Sequence, residues 1–242
     1  MESVWAVHVA DGQLNSQVCL AGWLAACLLL GIAIRVTKPD DIPRIAVLSA
    51  VFFLASLLHV PTLIGARTHL LLTGLLGILL GWQSLIAIAC GLSLQAILFS
   101  HGGVFSLGIN LLVMGIPAII CGQVFRFWSQ KKIGKAGRLT STSLKSPAFA
   151  TGLFSVLLVS SIYGFALLVG GSADWWPQII ATWIIHAPLA ILEGIICAGV
   201  VDFQAKVAPE TFFPGAHPKI IADSRGEPET HLNSPGEGDQ PV

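Results

Sequence analysis

From Cys19 to Val201 the chain is a succession of long apolar runs separated by short polar gaps. A helix crossing a bilayer needs about 20 mostly apolar residues. The runs Gln17–Val36, Pro43–Val60, His69–Ser100, Leu107–Phe127, Pro147–Gly171 and Gln178–Phe203 meet or approach that length. The third is too long for one crossing, since at about 1.5 Å per residue it would reach well over 40 Å. Gly81-Trp82-Gln83 lies in its middle, where a glycine and a polar residue can turn the chain. We therefore divide it into His69–Leu80 and Trp82–Ser100.

Basic residues test that division. Arg35, Lys38 and Arg44 mark the connection after the first run as cytoplasmic, and Arg126, Lys131, Lys132, Lys135, Arg138 and Lys145 mark the connection before Pro147 the same way. Two cytoplasmic connections must be separated by an even number of crossings. One long third helix gives three, whereas the divided run gives four. The expectation is an all-α membrane protein, a bundle of about seven transmembrane helices with the amino terminus outside and the carboxyl terminus cytoplasmic. Residues 1–16 then form an extracytoplasmic segment, 17–206 the bundle, and 207–242, rich in Pro, Gly, Asp and Glu, a disordered cytoplasmic tail.

Composition agrees: 54% of the 242 residues are hydrophobic and only 11% are charged, against about a quarter charged in soluble domains. The zero net charge offers nucleic acid no basic surface. Cys19, Cys27, Cys90, Cys121 and Cys197 all lie inside apolar runs without CxxC spacing; they read as buried thiols, not as a disulfide framework or zinc knuckle. Met1–Gln17 lacks the basic start of a signal peptide, and the run that follows is too long for a cleaved apolar core.

Candidate chemistry gathers on one side. His8, His59, His69 and His101 all fall in or beside segments assigned to the outer face. Neutral imidazole is the commonest protein ligand for borderline transition metals, so four histidines at one boundary suggest a metal site. Interfacial histidines hydrogen-bonded to backbone or headgroups are the alternative. His217 and His231 lie in the tail and read as incidental.

Four strings carry a resemblance. They are Val7-His8-Val9-Ala10-Asp11-Gly12; Pro61 to Leu70, ending Gly65-Ala66-Arg67-Thr68-His69-Leu70; Gln95-Ala96-Ile97-Leu98-Phe99-Ser100-His101-Gly102-Gly103 continuing through Asn110 to Gly115; and His186-Ala187-Pro188-Leu189-Ala190-Ile191-Leu192-Glu193-Gly194. In this order and spacing the chain, from about His8 to Glu210, resembles the CbiM/NikM family, the substrate-binding membrane subunits of energy-coupling-factor importers for cobalt and nickel. The resemblance implies residence in the cell membrane, the inner membrane of a bacterium. It also implies a Ni2+ or Co2+ ion as transported substrate, no organic cofactor, and, as partners, a coupling transmembrane subunit, ATPase subunits and a small accessory membrane protein.

In that family the terminal amine, the next amide and the first histidine bind the metal in a roughly square-planar arrangement that a second histidine completes. His8 and His69 match the two histidines, and Asp11-Gly12 matches the turn that folds the leading segment back as a lid. Seven residues precede His8 here, which leaves two readings: translation starting at Val7 restores the amine, or, starting at Met1, His59 or His101 replaces that nitrogen. His101 stands where relatives usually carry aspartate, His59 where they often carry asparagine, and Arg67 where they carry small residues; a cation there would oppose a bound dication unless it points to headgroups or pairs with Asp11.

Other residues stay two-sided. Glu193 lies in an apolar run, where an ionisable group is by default a functional candidate; it could pair with His186, face a partner subunit, or be hydrogen-bonded inside the bundle. Asn110 could orient a ligand or bridge two helices. Ala46 and Ala50, four apart, could be internal packing or a small-residue face for the coupling subunit. The chain has no GxxxxGK[ST] phosphate loop and no HExxH motif, so the expectation is a transport subunit, not an enzyme, with ATP hydrolysis on a partner. A membrane scaffold of the same fold without metal transport is the competing reading.

Overall fold

A computed structural model describes residues 8–61, 67–99, 101–136, 141–171 and 174–208. Seven α-helices appear among them: α1 (Ser16–Val36), α2 (Ile42–Leu57), α3 (Thr73–Leu80), α4 (Ser84–Phe99), α5 (Leu107–Ala136), α6 (Ser141–Gly170) and α7 (Trp176–Val207). Short 3-10 turns sit at Pro39–Asp41 and Gly81–Gln83. Five helical stretches are long and apolar enough to cross a membrane: Ser16–Val36, Thr73–Phe99, Leu107–Lys131, Ser143–Gly170 and Trp176–Val207. The chain is a multi-pass membrane protein. Its outer stripes, such as Leu20, Leu24 and Leu28 on α1, are exposed apolar side chains that only lipid or another membrane protein can cover.

The stretch from Thr73 to Phe99 is not one straight rod. A straight 27-residue helix would part its ends by about 40 Å. The rings of His69 and His101, which flank it, lie 5.9 Å apart. The reversal falls at Gly81, whose φ of 61° suits glycine, and the Arg126 guanidinium covers it so closely that a Cβ would sit 2.5 Å from Nη1. Gln83 Nε2 donates to Asp41 Oδ2 at 3.2 Å, so this turn lies beside the α1–α2 connection. α3 descends from the histidine end and α4 returns to it.

Several expected boundaries move. The second run does not stay helical to Val60: α2 ends at Leu57, and β1 (His59–Pro61) pairs antiparallel with β2 (Arg67–His69), His59 opposite His69. Pro61 has no amide hydrogen and biases Val60 toward extended backbone. His69 is therefore a strand residue, and α3 begins only at Thr73. Leu72 takes a left-handed φ of 50° that keeps the preceding residues out of the helix. α5 continues nine residues past Phe127, α6 starts six before Pro147, and α7 extends to Val207. Hydropathy marks the part inside lipid, while the backbone ladder continues beyond it. Two cysteines also differ from expectation. Cys27 and Cys90 are exposed on the bundle's outside, whereas Cys19, Cys121 and Cys197 are buried; all five are free. The 207–242 tail beyond Ala208, and residues 1–7, lie outside the described residues.

α3 is the axis of the bundle, with all eight of its residues buried. It packs against α4, α5, α6 and α7. The α3–α5 approach is backbone on backbone: a Cβ on Gly77 would meet the Ala118 carbonyl oxygen at 1.9 Å, and one on Gly122 the Gly77 carbonyl at 2.2 Å. Small residues make such contact possible where lipid offers no hydrophobic drive between helices.

Candidate metal centre

The site grows out of a folded-back leading segment. Gly12, with φ 89°, turns the chain after Asp11, and Asn15 caps α1 by accepting from Val18 N at 2.9 Å. Asn15 N also donates to the Gly170 carbonyl at 2.8 Å, which ties this segment to the end of α6. The polar contacts of Val9 and Asp11 then run to the start of α5. Asn110 reads both sides of one peptide unit, accepting from Val9 N at 2.7 Å and donating to the Val9 carbonyl at 2.9 Å. Asp11 accepts from Ser106 N at 2.8 Å and from Phe105 N at 3.2 Å, placing a carboxylate at the amino end of α5 where the helix dipole favours it. Burial pulls the Asp11 carboxyl up, but the Ser106 and Phe105 hydrogen bonds outweigh it and hold it below its ordinary value.

Ser106 Oγ lies 2.7 Å from the Val9 carbonyl and 2.9 Å from Asp11 Oδ1, with the Gly102 carbonyl beside it as well. Its one proton serves three acceptors. Gly103, at φ 76°, leaves the space that Asp11 fills: a Cβ there would stand 2.3 Å from the carboxyl carbon.

Held this way, the His8 side chain turns inward and is 6% exposed. His8 Nε2 lies 3.1 Å from His69 Nε2. The two rings stack with centroids 5.2 Å apart, and His101 meets His8 edge-on at 4.8 Å. One ring nitrogen from each of His8, His69 and His101 falls within 4.8 Å of the others. Two imidazole nitrogens bound to a shared ion at about 2.0–2.1 Å would themselves stand about 2.9–3.4 Å apart at square or tetrahedral angles, which brackets the His8–His69 separation.

Backbone carbonyls set the tautomers. His69 Nδ1 lies 3.0 Å from the Leu70 carbonyl and must donate to it, leaving the Nε2 lone pair toward His8. A carbonyl behind a histidine is the arrangement that orients metal-ligating imidazoles. His8 is held well below its ordinary pKa of 6.5, first by burial and then by the neighbouring His69, His101 and His186. At neutral pH it presents a lone pair, not a charge. Three imidazoles in a largely water-excluded pocket can bind a borderline divalent cation.

The remaining candidates fall into place around this cluster. His186 is one layer deeper: its Nδ1 donates to the Thr182 carbonyl at 2.8 Å, so Thr68 Oγ1, 3.3 Å from its Nε2, donates to it. Glu193 meets neither His186 nor the bundle surface. It is fully buried, and its oxygens accept from Leu71 N at 2.5 Å and Leu72 N at 2.9 and 3.0 Å. The chain enters α3 inside the bundle, and Glu193 supplies the acceptor for the two amides that just precede the helix. Ala46 and Ala50 are exposed on α2, so internal packing does not account for them. The side chains of His59 and Arg67 lie outside the described residues; Asp11, the partner considered for Arg67, is engaged by Ser106 and Phe105. Reading the sequence missed Ser106 and Thr68. Ser106 carries a legible signal, a serine immediately before a helix; Thr68 carries none.

The family described as the cobalt uptake substrate-specific transmembrane region, CbiM, matches residues 8–211. A protein of Haemophilus influenzae called a putative metal transport protein is 32% identical over 204 residues, covering 84% of this chain and 96% of that one. A protein of Archaeoglobus fulgidus called a putative fused nickel transport protein, NikMN, is 26% identical over 222 residues, covering 89% of this chain and 71% of that one. Among solved structures, one described as a truncated transition metal transporter superposes with a TM-score of 0.61 at 21% identity, covering 84% of this chain and 98% of that chain, a likeness of fold.

Proposed function

The chain belongs to the CbiM family, and from that premise we propose that it is the substrate-capture subunit of an ATP-driven importer for cobalt or nickel ions. The observation that carries this reading is the convergence of His8, His69 and His101 on one point beneath a latched lid. His8 and His69 are the primary ligands, and His101 contributes the third nitrogen where relatives carry aspartate. Asn110, Ser106 and Asp11 hold the lid, and His186 backs the site through Thr68.

The geometry supports seven crossings with the histidine end outside. α3 and α4 leave and re-enter at one end, and Arg44, Arg126 and Lys131 gather toward the other. ATP hydrolysis belongs to partner subunits. A relative named as a fusion supports an assembly of several membrane parts, and the exposed Ala46–Ala50 face of α2 offers the coupling subunit a close approach.

The test is elemental analysis and calorimetric titration of the purified protein with Ni2+ and Co2+. One equivalent should bind, and His8→Ala, His69→Ala and His101→Ala should each weaken binding by at least about tenfold, the loss expected for one well-placed ligand. Failure to bind either ion, with the protein otherwise folded, overturns the importer reading in favour of a scaffold of the same fold.

A further inference from the structure

Away from the histidine cluster, α5 and α6 part to leave a groove with a cavity volume of about 650 Å3. Ile120, Val124 and Trp128 form one wall, and Ser146, Phe154 and Ser161 mark the other. From Ser146 to Ser161 the groove runs about 22 Å at 1.5 Å per residue. A groove of this length and volume has room for a hydrocarbon chain laid along it.

The walls are mostly apolar. Thr151 Oγ1 donates to the Pro147 carbonyl at 2.7 Å, and Ser161 Oγ donates to the Leu157 carbonyl at 2.7 Å, so these hydroxyls are spent on their own helix. The end far from the histidines is different. Trp128, a residue type that favours the membrane–water interface, closes it. Lys131, exposed one turn further along α5, and Lys145, next to Ser146, flank it. Lys145 Nζ is 3.2 Å and Lys206 Nζ 3.0 Å from the same oxygen of Asp202. Two ammonium groups share that one carboxylate, and with the exposed Lys131 nearby the groove mouth keeps an excess of positive charge.

We propose that this groove is a lipid site, in which an acyl chain of an anionic phospholipid lies between α5 and α6 with its phosphate held by Lys131 and Lys145. A basic mouth over an apolar slot at the cytoplasmic side selects anionic headgroups.

The experiment is native mass spectrometry of the purified protein in mild detergent with equal amounts of dioleoyl phosphatidylglycerol and dioleoyl phosphatidylcholine. Phosphatidylglycerol should be retained preferentially. Lys131→Glu and Lys145→Glu should each lower that preference by about fivefold. Val124→Trp, at a lipid-exposed position, and Ala150→Phe should fill the slot and abolish retention. Equal retention of the two lipids, undiminished retention in both groove-filling variants, or a co-purifying protein in place of lipid would overturn the proposal.

Discussion

Single residues decide how the candidate metal centre is held. His8 contributes most through its environment: burial, then its histidine neighbours, hold its pKa well below 6.5. In an opened or unfolded chain the same ring titrates near its ordinary value. The folded state thus binds fewer protons below pH 6.5, and this contribution is fully present above that pH and lost as pH falls below it. Metal-free protein should melt at a constant temperature above about pH 7 and at steadily lower temperatures below about pH 6.5, and His8→Ala should flatten the slope. Glu193 acts on the backbone. Glu193→Leu leaves the Leu71 and Leu72 amides unsatisfied, at about 1–3 kcal/mol each, so the variant should lose roughly 2–6 kcal/mol in denaturant titration. Glu193→Gln keeps one acceptor oxygen and should lose much less. Asn110→Ala leaves the buried Val9 amide and carbonyl without their partner, at about 1–3 kcal/mol each, so the melting temperature and metal binding should fall together.

At the level of elements, α3 is the piece on which the site depends. It is eight residues long, fully buried, and begins below the histidines, so its position sets where His69 stands. Gly77 and Gly122 allow it to lie against α5. Gly77→Val would force those backbones apart and should cost about 1–3 kcal/mol or more, read as a drop in melting temperature together with weakened metal binding. The apolar runs, the interruption at Gly81 and the placing of His8, His69 and His101 near one boundary were all legible in the residue pattern, because each is a property of a contiguous stretch. The β1–β2 pairing was not, since two three-residue strands carry too short a pattern to compete with the apolar run around them. Nor was the hold of Glu193 on the Leu71 and Leu72 amides, its partners lying more than 120 residues away.

Across the whole molecule, the reversal at Gly81 determines which end faces which side. With native thiols replaced, a cysteine at Val104, exposed beside the histidine end, should react with a membrane-impermeant maleimide on intact cells. One at Asp40, exposed at the opposite end, should react only after permeabilisation. Labelling in the reverse sense would invert the capture direction. The sequence by itself determined that this chain lives in a membrane, roughly where it turns, and which imidazoles stand near one boundary, because hydropathy, charge asymmetry and residue type are local quantities. Only the tertiary structure decided that His8, His69 and His101 share one point, that Asn110 and Ser106 hold the leading segment, and that Glu193 engages the backbone just before α3. Those are contacts between distant segments, and their geometry exists only once the helices have packed.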